Sequence, residues 1–217
     1  MRIKLIALIT CTFATLLGTI AYAQPKINTT EIWLIDVVNE AGKIEFGKAE
    51  RITDNDRYDN QPFFSRDGKY LYFASMPDSM QSDIFEYNLG KKLTRQVTNT
   101  PESEYQPQPI LGDKTHLSVV RVDMDKAQRF YNISLDGVEA NPLTENEDSV
   151  AYYCWINDTT TGMMMLNGDH MVLEQFDLVP SQAVILAESG TGRCIQKIPG
   201  AKCNELCGEE GFNCRYF

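Results

Sequence analysis

The sequence predicts an all-β protein, a β-propeller built from four-stranded antiparallel blades of about 45 residues, and three observations carry that prediction. Ile52-Thr53 returns as Val97-Thr98 and again as Leu143-Thr144, with threonine spacings of 45 and 46 residues. Gln61-Pro62 returns as Gln106-Pro107, again 45 residues on. Between these landmarks lie short aromatic or alternating runs divided by turn signals such as Asp67-Gly68 and Asp136-Gly137.

Taken in chain order, Arg2 and Lys4 precede an apolar run from Leu5 to Ile20 that ends in Ala21-Tyr22-Ala23. This pattern predicts a secretory signal peptide over 1–23, whose cleavage leaves no transmembrane segment and an exported, periplasmic or secreted protein. Glu31 to Val38 and Ile44 to Ile52 then read as the last two strands of a blade, a half-blade over 31–52 of the kind that pairs with strands from the other chain end to close a ring. Full blades are expected near 53–98, 98–144 and 144–188, so that the propeller repeats occupy 24–188.

The first full blade is the clearest. Gln61 to Ser75 holds two aromatic-rich runs around the structural turn Asp67-Gly68, where glycine accepts positive φ and aspartate caps its own turn. Asp83 to Leu89 alternates as a half-buried strand does, and Leu93 to Thr98 makes the fourth strand. The second blade repeats the plan with Gln108 to Leu111, His116 to Val122, Arg129 to Leu135 and Ala140 to Thr144. The third keeps the rhythm through Val150 to Ile156, Gly162 to Leu166, Met171 to Leu178 and Val184 to Ala187, without the proline or the Asp-Gly pair. Residues 189–217 read as a degenerate tail rich in glycine and cysteine that is not an integrated blade.

The charge is -10 and becomes more negative once the two leader cations are lost, which argues against nucleic acid or an anionic membrane surface as partner. Beyond the leader the cysteines are Cys154, Cys194, Cys203, Cys207 and Cys214, an odd number. Cys194, Cys203, Cys207 and Cys214 are candidates for a tail disulfide, with free thiols as the alternative, and their spacing completes no zinc pattern.

No catalytic constellation emerges. There is no Gly-x-Ser-x-Gly elbow, and Gly190-Thr191-Gly192 is too short for a dinucleotide fingerprint. His116 and His170 fall in strands and read as structural. The acidic groups Asp54, Asp56 and Asp59, or Asp123 and Asp125, lack calcium-loop spacing and read as solvated carboxylates. The aromatic runs Phe63, Phe64, Tyr70, Tyr72 and Phe73 read as sheet packing, and Met163-Met164-Met165 as core residues that alternate between faces. The chain is therefore expected to be non-enzymatic, with no metal and no cofactor. Its recognition surface is expected on loops at one end of the blades, at Arg57, Tyr58 and Asp59 before the first inner strand and at Glu104 and Tyr105 in the next unit.

Ile52-Thr53, the run Gln61-Pro62-Phe63-Phe64-Ser65-Arg66-Asp67-Gly68-Lys69 and Asp83-Ile84-Phe85 together resemble the WD-like repeat of TolB-type propellers, with Arg66 where that repeat usually carries proline. The resemblance covers residues 31–187 and fades after the first full unit. It implies a scaffold that binds protein or other cell-envelope partners in bacteria. The same resemblance leaves two alternatives: a fragment of a prolyl-oligopeptidase-like hydrolase lacking its catalytic domain, and a calcium-dependent lactonase-like propeller. No binding residues are universal to the family, so none transfers. Such propellers usually have more blades than three complete units and a partial one, and the chain accordingly reads as incomplete or diverged instead of a very small closed ring.

Overall fold

The computed structural model describes residues 29–77, 81–144 and 147–188 and, beyond these, the strands Cys194–Lys197, Asn204–Cys207 and Cys214–Tyr216. The predicted signal peptide and Cys203 lie outside the described residues. All regular structure among the described residues is β-strand.

A hairpin comes first, β1 (Trp33–Glu40) paired with β2 (Lys43–Arg51), within the stretch read as a half-blade. Three four-stranded antiparallel sheets follow, each a meander of consecutive strands. Blade 1 is β3 (Tyr58–Phe64), β4 (Tyr70–Met76), β5 (Asp83–Asn88) and β6 (Leu93–Gln96). Blade 2 is β7 (Ser103–Pro109), β8 (His116–Val122), β9 (Gln128–Ser134) and β10 (Ala140–Pro142). Blade 3 is β11 (Val150–Trp155), β12 (Thr160–Asn167), β13 (His170–Asp177) and β14 (Gln182–Ala187).

The stretch 189–217, expected to lack blade structure, carries three short antiparallel strands, β15 (Cys194–Lys197), β16 (Asn204–Cys207) and β17 (Cys214–Tyr216). Strands of three or four residues need no long alternating run, so the glycines between them do not prevent pairing. Ile195 is buried against Cys154, Met164 and Leu173 of blade 3, and this sheet thus begins a further blade. Its register sets Cys207 directly opposite both Cys194 and Cys214.

Alternation along the strands explains how the sheets stack. Leu71 and Phe73 of β4 join Ile32 and Tyr87 in one core, whereas Tyr72 and Ala74 face the other way and meet Leu117, Val119 and Ile133 of blade 2. In β12, Met163 and Met165 pack with Phe130 and Val120 of blade 2, and Met164 points to the opposite core. Every full blade therefore buries both faces, as the period of two requires when sheets lie on either side.

The Gln-Pro landmarks have a conformational origin. Gln61 and Gln106 sit at φ of 53° and 52°, and the pairing register slips between Asn60 and Phe63 and between Tyr105 and Gln108. These are β-bulges on the innermost strand, the edge where a proline without an N–H is tolerated. Pairing resumes upstream of the bulge, so Tyr58, Asp59, Glu104 and Tyr105 belong to strands β3 and β7 and not to the preceding loops. The bulges are also tied blade to blade. Gln106 N–H donates to Gln61 Oε1 at 2.9 Å, and Gln106 Nε2 donates to the Tyr153 carbonyl at 2.9 Å.

Candidate functional site

The repeated threonines account for the end of the blades at which Arg57, Tyr58, Asp59, Glu104 and Tyr105 lie. Thr98 Oγ1 accepts the Ile84 N–H at 2.8 Å and reaches Glu104 Oε2 at 3.0 Å, while Thr100 Oγ1 donates to Glu104 Oε1 at 2.6 Å. One repeat earlier, Thr53 Oγ1 accepts the Ile32 N–H at 2.9 Å and donates to Glu31 Oε2 at 2.7 Å. Glu104 is 1% exposed and Asp59 2%, so neither carboxylate is presented to solvent: Glu104 serves the threonine clamp, and Asp59 Oδ2 accepts from Asn55 Nδ2 at 2.9 Å. Burial, reinforced by nearby Asp83, pushes Glu104 up to about 7 against the hydrogen bonds from Thr100 and Thr98. Arg57 is exposed, and Tyr58 and Tyr105 are half-buried. At the third junction Arg129 and Ser149 stand where the earlier unit has Asp83 and Glu104, and among the described residues Thr144 Oγ1 is buried without a hydrogen-bond partner.

The opposite end of the blades holds a cavity of about 770 Å³ between blades 1 and 2. Two built turns frame it. In the first, Gly68 takes φ of +66°, Ser65 Oγ accepts the N–H groups of Lys69 and Tyr70 at 3.1 and 2.9 Å, and Asp67 Oδ1 accepts the Ser65 hydroxyl at 2.8 Å. The turn assigned to Asp67 and Gly68 is thus present, and it places Arg66 and Lys69 on the cavity wall. In the second, Asp113 Oδ1 accepts the N–H groups of Thr115 and His116 at 2.7 and 3.2 Å, and its Oδ2 lies 2.8 Å from His116 Nδ1. Burial alone would raise Asp113, but the hydrogen bonds from Thr115 and His116 outweigh it and hold the carboxyl down at about 2.

The floor is a row across blade 1. Tyr72, Glu86 and Arg95 are cross-strand neighbours in register on β4, β5 and β6. Arg95 clasps Glu86 through two parallel bonds of 2.7 and 2.9 Å, and its third nitrogen donates to the Leu135 carbonyl of blade 2 at 3.0 Å. Burial, with Glu86 alongside, pushes the Tyr72 phenol up to about 12, so it stays protonated and a donor. The outer rim closes where Gly137, at φ of +73°, lies so near Val97 that a Cβ there would fall 2.1 Å from the Val97 carbonyl oxygen.

Among the described residues no cluster of three or more His, Cys, Asp or Glu could hold a metal ion. Of the acidic groups singled out from the sequence, Asp54 pairs with Arg51, Asp59 accepts from Asn55, and Asp123 and Asp125 pair with Arg129. Tyr72 and Phe73 are buried as the packing reading expects, whereas Phe63 and Phe64 at the end of the innermost strand are exposed. His170 is exposed at a hairpin end, and His116 lines the cavity. The cavity escaped sequence reasoning because its walls come from two repeats. Two signals pointed there: Arg66 at the turn position where the resembling repeat carries proline, and the charged pair Glu86 and Arg95 on the strands that follow Tyr72.

No family model matches this sequence, and no curated protein does. Solved structures do. TolB from Acinetobacter baumannii is 14% identical over 82% of this chain and 49% of its own, with a TM-score of 0.57. A nidogen/laminin complex contains a chain 12% identical over 82% of this chain and 70% of its own, at 0.60. Puromycin hydrolase is 12% identical over 81% of this chain and 32% of its own, at 0.59. The chain thus spans about half of that TolB and a third of the hydrolase. At these identities the likeness is one of fold, and the fold is that of a TolB-like β-propeller, here as an incomplete set of blades.

Proposed function

We propose that this chain is a non-catalytic binding scaffold, exported from the cell, that engages a protein partner of the cell envelope through the cleft between blades 1 and 2. The cleft is the observation that carries the reading: a cavity of about 770 Å³, in the size range of pockets that take ligands, framed by hydrogen-bonded turns on a stacked β scaffold. The cationic, apolar and small-x-small segments at the N-terminus support export. The likeness to TolB supports a scaffold in that compartment.

The test is site-specific photocrosslinking in the producing cell. Val138 lies on the turn beside the cleft and is 80% exposed, and Met124 lies on the β8–β9 turn at the opposite end and is 67% exposed. A photoreactive residue at position 138 is expected to capture a discrete protein that one at position 124 does not. Equal capture from both positions, or none from either, would remove the reading.

A further inference from the structure

A census of donors and acceptors around the cleft gives the chemistry of its occupant. The acceptors are already used: both oxygens of Glu86 by Arg95, those of Asp113 by Thr115 and His116, and Asp67 by Ser65 and by the Lys69 N–H and ammonium. What remains unsatisfied is of one kind. Among the described residues the Arg66 guanidinium and the Lys114 ammonium make no ion pair or hydrogen bond, and the Tyr70 and Tyr72 hydroxyls have no hydrogen-bond partner. Four donor groups, two of them cations, thus face one cavity in a chain whose formal charge is -10. Pro109, Leu117 and Leu135 supply apolar wall between them.

Resting on the reading of the cleft as a protein-binding site, we propose that it takes an acidic segment of a partner polypeptide. Carboxylates meet Arg66 and Lys114, their second oxygens accept from the phenols of Tyr70 and Tyr72, and an aliphatic side chain lies against Leu117. A planar guanidinium suits a carboxylate in bidentate geometry, and the phenol hydroxyls donate to its remaining lone pairs. The volume far exceeds that of a bare oxyanion and fits a segment carrying apolar stems.

The experiment uses the full secreted chain and an acetylated, amidated pentapeptide of four glutamates around one leucine, with the four-glutamine peptide as its neutral counterpart, titrated calorimetrically. The acidic peptide is expected to bind at least about tenfold more tightly than the neutral one. Arg66→Glu and Lys114→Glu should each weaken it by a further factor of about ten, and Arg66→Gln by less. Lys126→Glu, on the turn at the far end of blade 2, should leave binding unchanged. Equal binding of the two peptides, loss of binding with Lys126→Glu, or displacement of the peptide by an equal concentration of inorganic phosphate would overturn the assignment. A crosslink from position 138 that survives Arg66→Glu with Lys114→Glu would discard the acidic segment yet leave the scaffold reading intact, whereas absence of any crosslink removes the scaffold reading itself. Because Arg66 and Lys114 are exposed and unpaired, unchanged thermal melts of the variants confirm that any loss is one of binding.

Discussion

The junction between blades 1 and 2 and the junction between blades 2 and 3 are built from the same strands of the same repeat, yet one is partly hollow and polar and the other is filled. At the second, Phe130 packs against Tyr153 with centroids 4.5 Å apart and against Trp155 at 5.7 Å, and the polar atoms of both partners converge on Ser118 Oγ at 2.8 Å. At the first, the facing positions of blade 1 carry Tyr72 and the clasped pair Glu86 and Arg95, and a cavity lies beside them at one end. Different side chains on one backbone plan thus give an aromatic seal at one junction and a polar cleft at the other. The backbone plan need not change.

The largest expected effect tests how tightly the hollow junction is nonetheless held. Gly137→Ala places a methyl group against the Val97 carbonyl and in a left-handed conformation, and should cost about 3–5 kcal/mol, the sum of overpacking and backbone strain. Gly68 has a similar φ and open space around it, so Gly68→Ala should cost only about 1–2 kcal/mol. Urea melts of the two variants decide it. If they coincide, blade 2 does not press on blade 1 at the rim.

A second prediction concerns the buried acid that the filled junction lacks. The folded-state value of Glu104 is raised above its ordinary one, so the native protein binds the extra proton. Stability should then fall as pH rises from about 4.5 to about 7 and stay lowered above it, by on the order of 2–3 kcal/mol. Glu104→Gln keeps an acceptor for Thr100 and turns its amide N–H toward Thr98 Oγ1, and should flatten that slope and raise the melting temperature above pH 7. A variant with the parental pH profile would show that the carboxylate is not charged at a cost.

The smallest effects separate the two junctions most cleanly. Tyr153→Phe removes a hydroxyl lying 2.8 Å from both the Gln106 carbonyl and Ser118 Oγ, and should cost about 1–3 kcal/mol by stranding them. Tyr72→Phe removes a hydroxyl with no partner and should change stability by less than about 0.5 kcal/mol. Matched losses in denaturant melts would mean that Tyr72 is as engaged as Tyr153.

The sequence disclosed the blades because its landmarks do the same jobs in the first two units. Thr53 and Thr98 cap the first residues of a neighbouring strand, Gln61 and Gln106 occupy bulges, and Gly68 and Gly137 turn hairpins. The recognition residues did not come through in the same way. Asp59 and Glu104 have the composition of binding loops, yet the bulge downstream draws them into strands and burial. The cleft pairs Arg95 with Leu135 and sets Arg66 near Lys114, contacts between repeats whose partners no local period announces.

The opposed faces of each sheet carry a consequence for how the molecule comes apart. Because Met163 and Met165 belong to one core and Met164 to the next, a blade gains stability from the neighbour on each side, and its free energy divides into an intrinsic part and coupling terms. The molecule then behaves as a short one-dimensional array. Opening is expected to begin at the exposed β1–β2 hairpin and to proceed toward the packed Phe130–Tyr153 contact. Amide exchange would register this as a gradient of protection that peaks in β8, β9 and β12 and declines toward the β1–β2 hairpin, where Trp33, Val37 and Phe46 already stand exposed.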